Sequence, residues 1–79
     1  MKGIKVKYRK LGRERARGQA YADGLIEIDP RQGQKSTLNT LIHELLHLLE
    51  PEWSETKVVR VSGTLTKFIW LGRFRRLEK

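Results

Sequence analysis

Cysteine is absent from the chain. Its absence excludes a disulfide, a thiolate metal site and a thiol nucleophile. Histidine is nearly as scarce, with two residues in all, so any imidazole chemistry falls to that pair. Long apolar runs are missing too, and none approaches the roughly 20 residues a membrane-spanning helix needs. The opening MKGIKVKYRK has no apolar core behind its lysines, unlike a secretory leader. These absences lead to the expectation of a cytoplasmic protein with no membrane partner. Aromatic residues make up 8% of the chain. They are too thinly interleaved with the basic residues for a base-stacking platform, and no nucleic-acid motif is present. Acidic residues are in the minority, 9 against 17 basic, for a formal charge of +8. Such a balance attracts polyanions or an acidic protein partner, but charge alone defines no function.

With 79 residues the chain makes one small domain, 1–79, carrying a basic loop over 9–18 and a basic tail over 73–79. A domain this short buries only about 60% of its unfolded surface. Chains of this size often add a staple. Without cysteine, the candidates are a metal held by histidine and carboxylate, or association with another chain.

Along the chain, Ile4, Val6 and Tyr8 alternate with Lys5 and Lys7, the pattern of a half-buried strand over 4–8. Residues 9–18 are polar, basic and bounded by glycine, and read as a solvated connection. Asp23-Gly24 is a favoured pair for a two-residue hairpin turn. It separates strands over 19–22 and 25–29, with Ile26 and Ile28 on one face. Pro30 ends the second strand. A helix follows, capped by Ser36 or Thr37 and running to Glu50, because Pro51 disfavours helical geometry in the residue before it. Ser54 is positioned to cap a second helix, with Trp53 and Val58 at hydrophobic-staple positions. Val58, Val61, Leu65, Phe68 and Ile69 form its apolar stripe, and Gly72 its stop. The expected fold class is α+β, a small three-stranded sheet containing an antiparallel pair and packed with two α-helices.

The first helix reads LIHELLHLLE from Leu41 to Glu50. Its leucines and Ile42 wrap most of the circumference, so it is expected to be buried on most sides. His43 and His47 lie four apart and share a face, with Glu44 between them in sequence. An ionised glutamate in an apolar setting costs several kcal/mol without partners. A bound metal and its water supply a partner for all three side chains. This is the HExxH pattern: two imidazoles one turn apart can both ligate Zn²⁺, and the glutamate between them can take a proton from a water at the metal.

A peptidase-type zinc needs a third protein ligand and one open position. After His47 the chain has no further histidine and no aspartate, and its carboxylates are Glu50, Glu52, Glu55 and Glu78. Glu55 comes first among these candidates, because the second helix must double back onto the first and can aim it at the metal. Glu52, in the turn after Pro51, is the next choice, and Glu50 would have to bend back. The position of Glu55 also has a simpler explanation, since acidic residues favour helix N-termini.

The HExxH helix, the proline-containing turn and the Ser54-Glu55 helix start together resemble a zincin metallopeptidase. More narrowly, they are similar to minimal gluzincins, among the small metallopeptidases of phages and prokaryotes. The resemblance covers roughly residues 20–68. It implies His43, His47 and Glu55 as Zn²⁺ ligands and Glu44 as general base in peptide-bond hydrolysis. It also implies an edge strand just before the active-site helix, over 25–29, where a peptide or protein substrate adds as a further strand. Tyr8, Tyr21 and Arg60 are the candidates to polarise the scissile carbonyl. A different class of function is a non-catalytic, zinc-stapled basic module binding nucleic acid or an acidic partner. A metal-free basic domain is the third.

Overall fold

The computed structural model describes residues 3–12 and 17–72. The tail over 73–79 and part of the basic loop, 13–16, lie outside the described residues. The elements run β1 (Lys5–Tyr8), β2 (Gly18–Ala20), β3 (Leu25–Ile28), α1 (Gln34–Leu49) and α2 (Glu55–Leu71). This is the expected α+β class, and the sheet is mixed. Its order is β1-β3-β2, with β1 parallel and β2 antiparallel to β3.

That order corrects the edge-strand expectation for 25–29. β3 is central, with both hydrogen-bonding sides in use, and the free edges belong to β1 and β2. The reason lies in burial. Ile26 and Ile28 are fully buried, whereas all four β1 residues are exposed. The lysines of β1 suit an outer position that discourages further pairing. The half-buried pattern expected for 4–8 therefore holds only for Ile4, which packs against the core.

The hairpin turn is longer than a two-residue turn. The Tyr21 N–H donates to the Leu25 carbonyl and the Gly24 N–H to the Tyr21 carbonyl, so the loop is Ala22, Asp23 and Gly24. Gly24 has φ 98°, the left-handed position that closes a three-residue hairpin. The Asp23 carboxylate accepts from the Leu25 N–H at 3.1 Å.

The described start of the basic loop is exposed at Arg9, Lys10 and Gly12, as expected, but anchored at Leu11. Leu11 is fully buried, and its N–H donates to Asp29 Oδ2 at 2.9 Å. Arg9 Nε donates to Glu27 Oε2 at 2.6 Å. The Tyr21 hydroxyl lies 2.6 Å from Gln19 Oε1 and 2.8 Å from Glu27 Oε1. Strand alternation puts Gln19 and Glu27 on the sheet face opposite Ile26 and Ile28, so the outer face is closed by a polar network. The inner face packs on α1, where Ile26, Ile28 and Leu48 are joined by Ile4, Ala20, Leu41 and Leu45.

α1 starts before its expected caps, and Gly33 is the capping residue. The Ser36 and Thr40 hydroxyls instead donate to Gln32 Oε1, at 2.7 and 3.0 Å. The helix is less enclosed than its leucines imply. Thr40, Ile42 and Leu48 are buried, while Leu49 is exposed, because the sheet covers one side and α2 another. α2 has the expected cap, with Ser54 Oγ accepting from the Lys57 N–H at 3.1 Å. Its packing face keeps the expected stripe only in part, with Val58 buried and Val61 and Ile69 half-buried. Val58, Ser62 and Thr66 are buried, but Leu65 is 42% and Phe68 63% exposed. The Thr66 hydroxyl donates to Asn39 Oδ1 at 3.0 Å, so a row of small and polar side chains sets the contact between the helices. Leu65 and Phe68 are turned outward.

Candidate metal centre

Residues 43 and 47 stack one turn apart because α1 continues unbroken through them. The chain then reverses sharply. Pro51 follows the helix end, the Trp53 N–H donates to the Glu50 carbonyl at 3.0 Å, and Ser54 caps α2. Glu55 is thereby the first residue of α2 and is delivered to the histidines. Its Oε1 lies 2.8 Å from His43 Nε2 and 3.3 Å from His47 Nε2. The two Nε2 atoms are 3.2 Å apart.

This triangle can be tested against a metal. A tetrahedral zinc with ligands at about 2.0–2.1 Å sets its donor atoms about 3.3–3.4 Å apart. The His43–His47 and His47–Glu55 edges, 3.2 and 3.3 Å, match that spacing, and the His43–Glu55 edge of 2.8 Å is about 0.5 Å shorter, as for a carboxylate hydrogen-bonded to an imidazole N–H. Protons alone satisfy the triangle poorly. If both imidazoles donate Nε2–H to Glu55, two N–H groups face each other across the 3.2 Å edge. A cation at the centre satisfies all three donors at once, so the residues fit such an ion. The side chains of His43 and His47 are 23% and 31% exposed, and that of Glu55 is 64% exposed, so one side is open to solvent. Among the described residues no other group of three such ligands converges. Glu50 and Glu52 are exposed and stand outside the group.

Glu44 is partly buried beside this triangle. Burial above all raises its carboxyl above the usual range, Glu55 pushes the same way, and His43 and His47 act against them. Its carboxylate has no hydrogen-bond partner among the described residues.

The neighbour of Glu44 is one that sequence reasoning passed over. A Cβ built on Gly18 would lie 2.5 Å from Thr40 Cγ2, 3.2 Å from the Glu27 carbonyl oxygen and 3.2 Å from Glu44 Cγ. β2 thus runs directly against the HExxH helix, at a point where only glycine fits. The available signal was a glycine at a strand, which marks close backbone approach. In the antiparallel ladder Tyr21 and Arg17 bond across to β3. By alternation, the backbone groups of Gly18 and Ala20 face the free edge.

Tyr8, Tyr21 and Arg60 are not brought to the centre. Tyr8 is on β1, at the far edge of the sheet. Tyr21 is held on the outer face by Gln19 and Glu27. Arg60 is exposed on α2. No described helix is long and apolar enough to cross a membrane. Beyond the start of β2, Arg17, Asp29, Arg31, Gln32, Gly33 and Ser36 line an open groove of about 610 Å³. No family model, no curated protein and no solved structure matches the chain.

Proposed function

We propose that this chain is a zinc-dependent peptidase of the zincin kind, as its HExxH helix resembles. The observation that carries the reading is the convergence of His43, His47 and Glu55 from two helices into a triangle with edges of 2.8–3.3 Å. His43, His47 and Glu55 would hold the ion, with solvent access on the open side. A zinc bound there supplies Lewis acidity, polarising a peptide carbonyl and acidifying a water beside it.

The chain's own residues do the rest. Glu44 accepts a proton from that water and passes it to the leaving amine. Its partial burial, and the lack of a hydrogen-bond partner among the described residues, support this role, because a carboxylate without a fixed donor is available as a base and burial raises its basicity. The substrate peptide lies beside α1, adding antiparallel to the free edge of β2. Gly18 and Ala20 supply the backbone hydrogen bonds there. This places the peptide next to Glu44.

The test combines metal content with turnover. Purified without a histidine tag, the protein is expected to hold about one zinc per chain, and Glu55→Ala is expected to lose it. Glu44→Gln should keep the metal while peptide hydrolysis falls by at least about 100-fold. Hydrolysis by Glu44→Gln at the wild-type rate would overturn the catalytic reading. Zinc retained by a wild-type chain that turns over no peptide would favour the zinc-stapled binding module instead.

A further inference from the structure

The groove at Arg17 lies in line with the proposed peptide path along β2. Ser36, Thr40, His43 and His47 follow one side of α1 by helical spacing. Ser36 stands seven residues from His43, about 10 Å along the helix, or about three residues of extended peptide. A peptide paired with β2 therefore reaches the groove about three residues from the bond being cleaved.

The charges in the groove are unequal in their freedom. Asp29 accepts from Arg31 Nε at 2.9 Å and Arg31 Nη2 at 2.6 Å, and from the N–H groups of Leu11 and Arg31. That pair is neutralised internally. Arg17 is exposed and pairs with no carboxylate among the described residues. Its Nη1 reaches Ser36 Oγ at 3.5 Å. Its carbonyl accepts from the Asp29 N–H and from Gln32 Nε2, which fixes the backbone from which the guanidinium extends. Among the described residues the groove thus offers, in Arg17, a planar cation without a carboxylate partner on an anchored base, the group best suited to a carboxylate.

We propose, resting on the peptidase reading, that Arg17 selects substrates by receiving a peptide carboxylate about three residues beyond the cleaved bond. A peptide antiparallel to β2 runs from Ala20 towards Arg17, so this carboxylate lies on the C-terminal side. An Asp or Glu side chain and a free chain terminus offer the same chemistry.

The test uses the zinc-loaded full chain and a peptide series with Glu, Gln or Lys at the third position after the cleaved bond. Two further peptides end there, one with a free carboxylate and one with an amide. Wild type is expected to favour Glu over Gln by about fivefold in kcat/KM. Arg17→Glu should reverse the order in favour of Lys. Lys67→Glu makes the same change in net charge on exposed α2 and should leave the order unchanged. A larger ratio for the carboxylate–amide pair than for Glu–Gln identifies the chain terminus as the natural ligand. An order untouched by Arg17→Glu, or shifted equally by Lys67→Glu, overturns the proposal. Fluorescence anisotropy on the same peptides separates the two claims. Discrimination that reverses in Arg17→Glu without any turnover keeps the subsite and removes the peptidase. Neither turnover nor discrimination removes both.

Discussion

Gly18 and Thr40 illustrate how much of the site depends on a single missing methyl. A Cβ at position 18 would sit 2.5 Å from Thr40 Cγ2, a separation that packed carbons do not tolerate. Gly18→Ala is expected to lower stability by about 1–3 kcal/mol and to shift β2 away from Glu44. Thr40→Ser removes the opposing methyl and keeps the hydroxyl that donates to Gln32. The double variant should therefore recover most of the loss in urea denaturation. A double variant no more stable than Gly18→Ala would show that the contact is not what confines β2. At this scale His43, Glu44 and His47 were legible in the sequence, because helical spacing alone puts the histidines on one face. Gly18 was not, since its role depends on a helix more than 20 residues away.

At the scale of elements, the α1–α2 connection decides whether a carboxylate joins the two histidines. Ser54 satisfies the Lys57 N–H and starts α2 at Glu55. Ser54→Ala is expected to cost about 1 kcal/mol. With the proposed zinc site it should also weaken zinc affinity, as frayed first-turn residues hold Glu55 less well; competition with a chromogenic chelator measures this. The cap was readable because capping is local chemistry. The packing face of α2 was readable only in part. Its apolar spacing pointed to Val58, which is buried, but also to Leu65 and Phe68, whereas the buried row continues through Ser62 and Thr66, where small side chains and the Asn39–Thr66 hydrogen bond admit close approach. Val58→Ala is therefore expected to cost about 2 kcal/mol. Phe68→Ala should cost less than about 1 kcal/mol, as an exposed position does. Equal costs at the two positions would put Phe68 back into the core.

For the whole molecule, the acidic residues of the central strand region tie the sheet to its loops. Asp29 is held well below the usual carboxylate range, first by the Arg31 guanidinium and then by the Leu11 and Arg31 N–H groups. Glu27 is lowered by Arg9 and then by the Tyr21 hydroxyl. A carboxyl depressed in the folded state contributes stability above its unfolded value, about 4, and loses it as pH falls through the folded value. On chelator-treated protein, the urea midpoint is expected to change little from pH 7 to 5 through these groups and to drop below about pH 4. Asp29→Asn should lower the midpoint at neutral pH and flatten the acid slope. An unchanged slope would mean that Asp29 is not a source of the acid sensitivity.

The sequence by itself determined the α+β class, the helix boundary at Pro51, the cap at Ser54 and the pairing of His43 with His47. Each follows from steric or hydrogen-bonding rules acting within a few residues. Tertiary structure decided that β3 is central and β2 lies at the edge beside α1, and that Glu55 rather than Glu50 or Glu52 joins the histidines. It also decided that Arg17 opens into a groove in line with them. These outcomes depend on which surfaces meet after the chain reverses. That choice is set by the packing of Ile26, Ile28 and Leu48 and by the close approach at Gly18, between residues far apart in sequence.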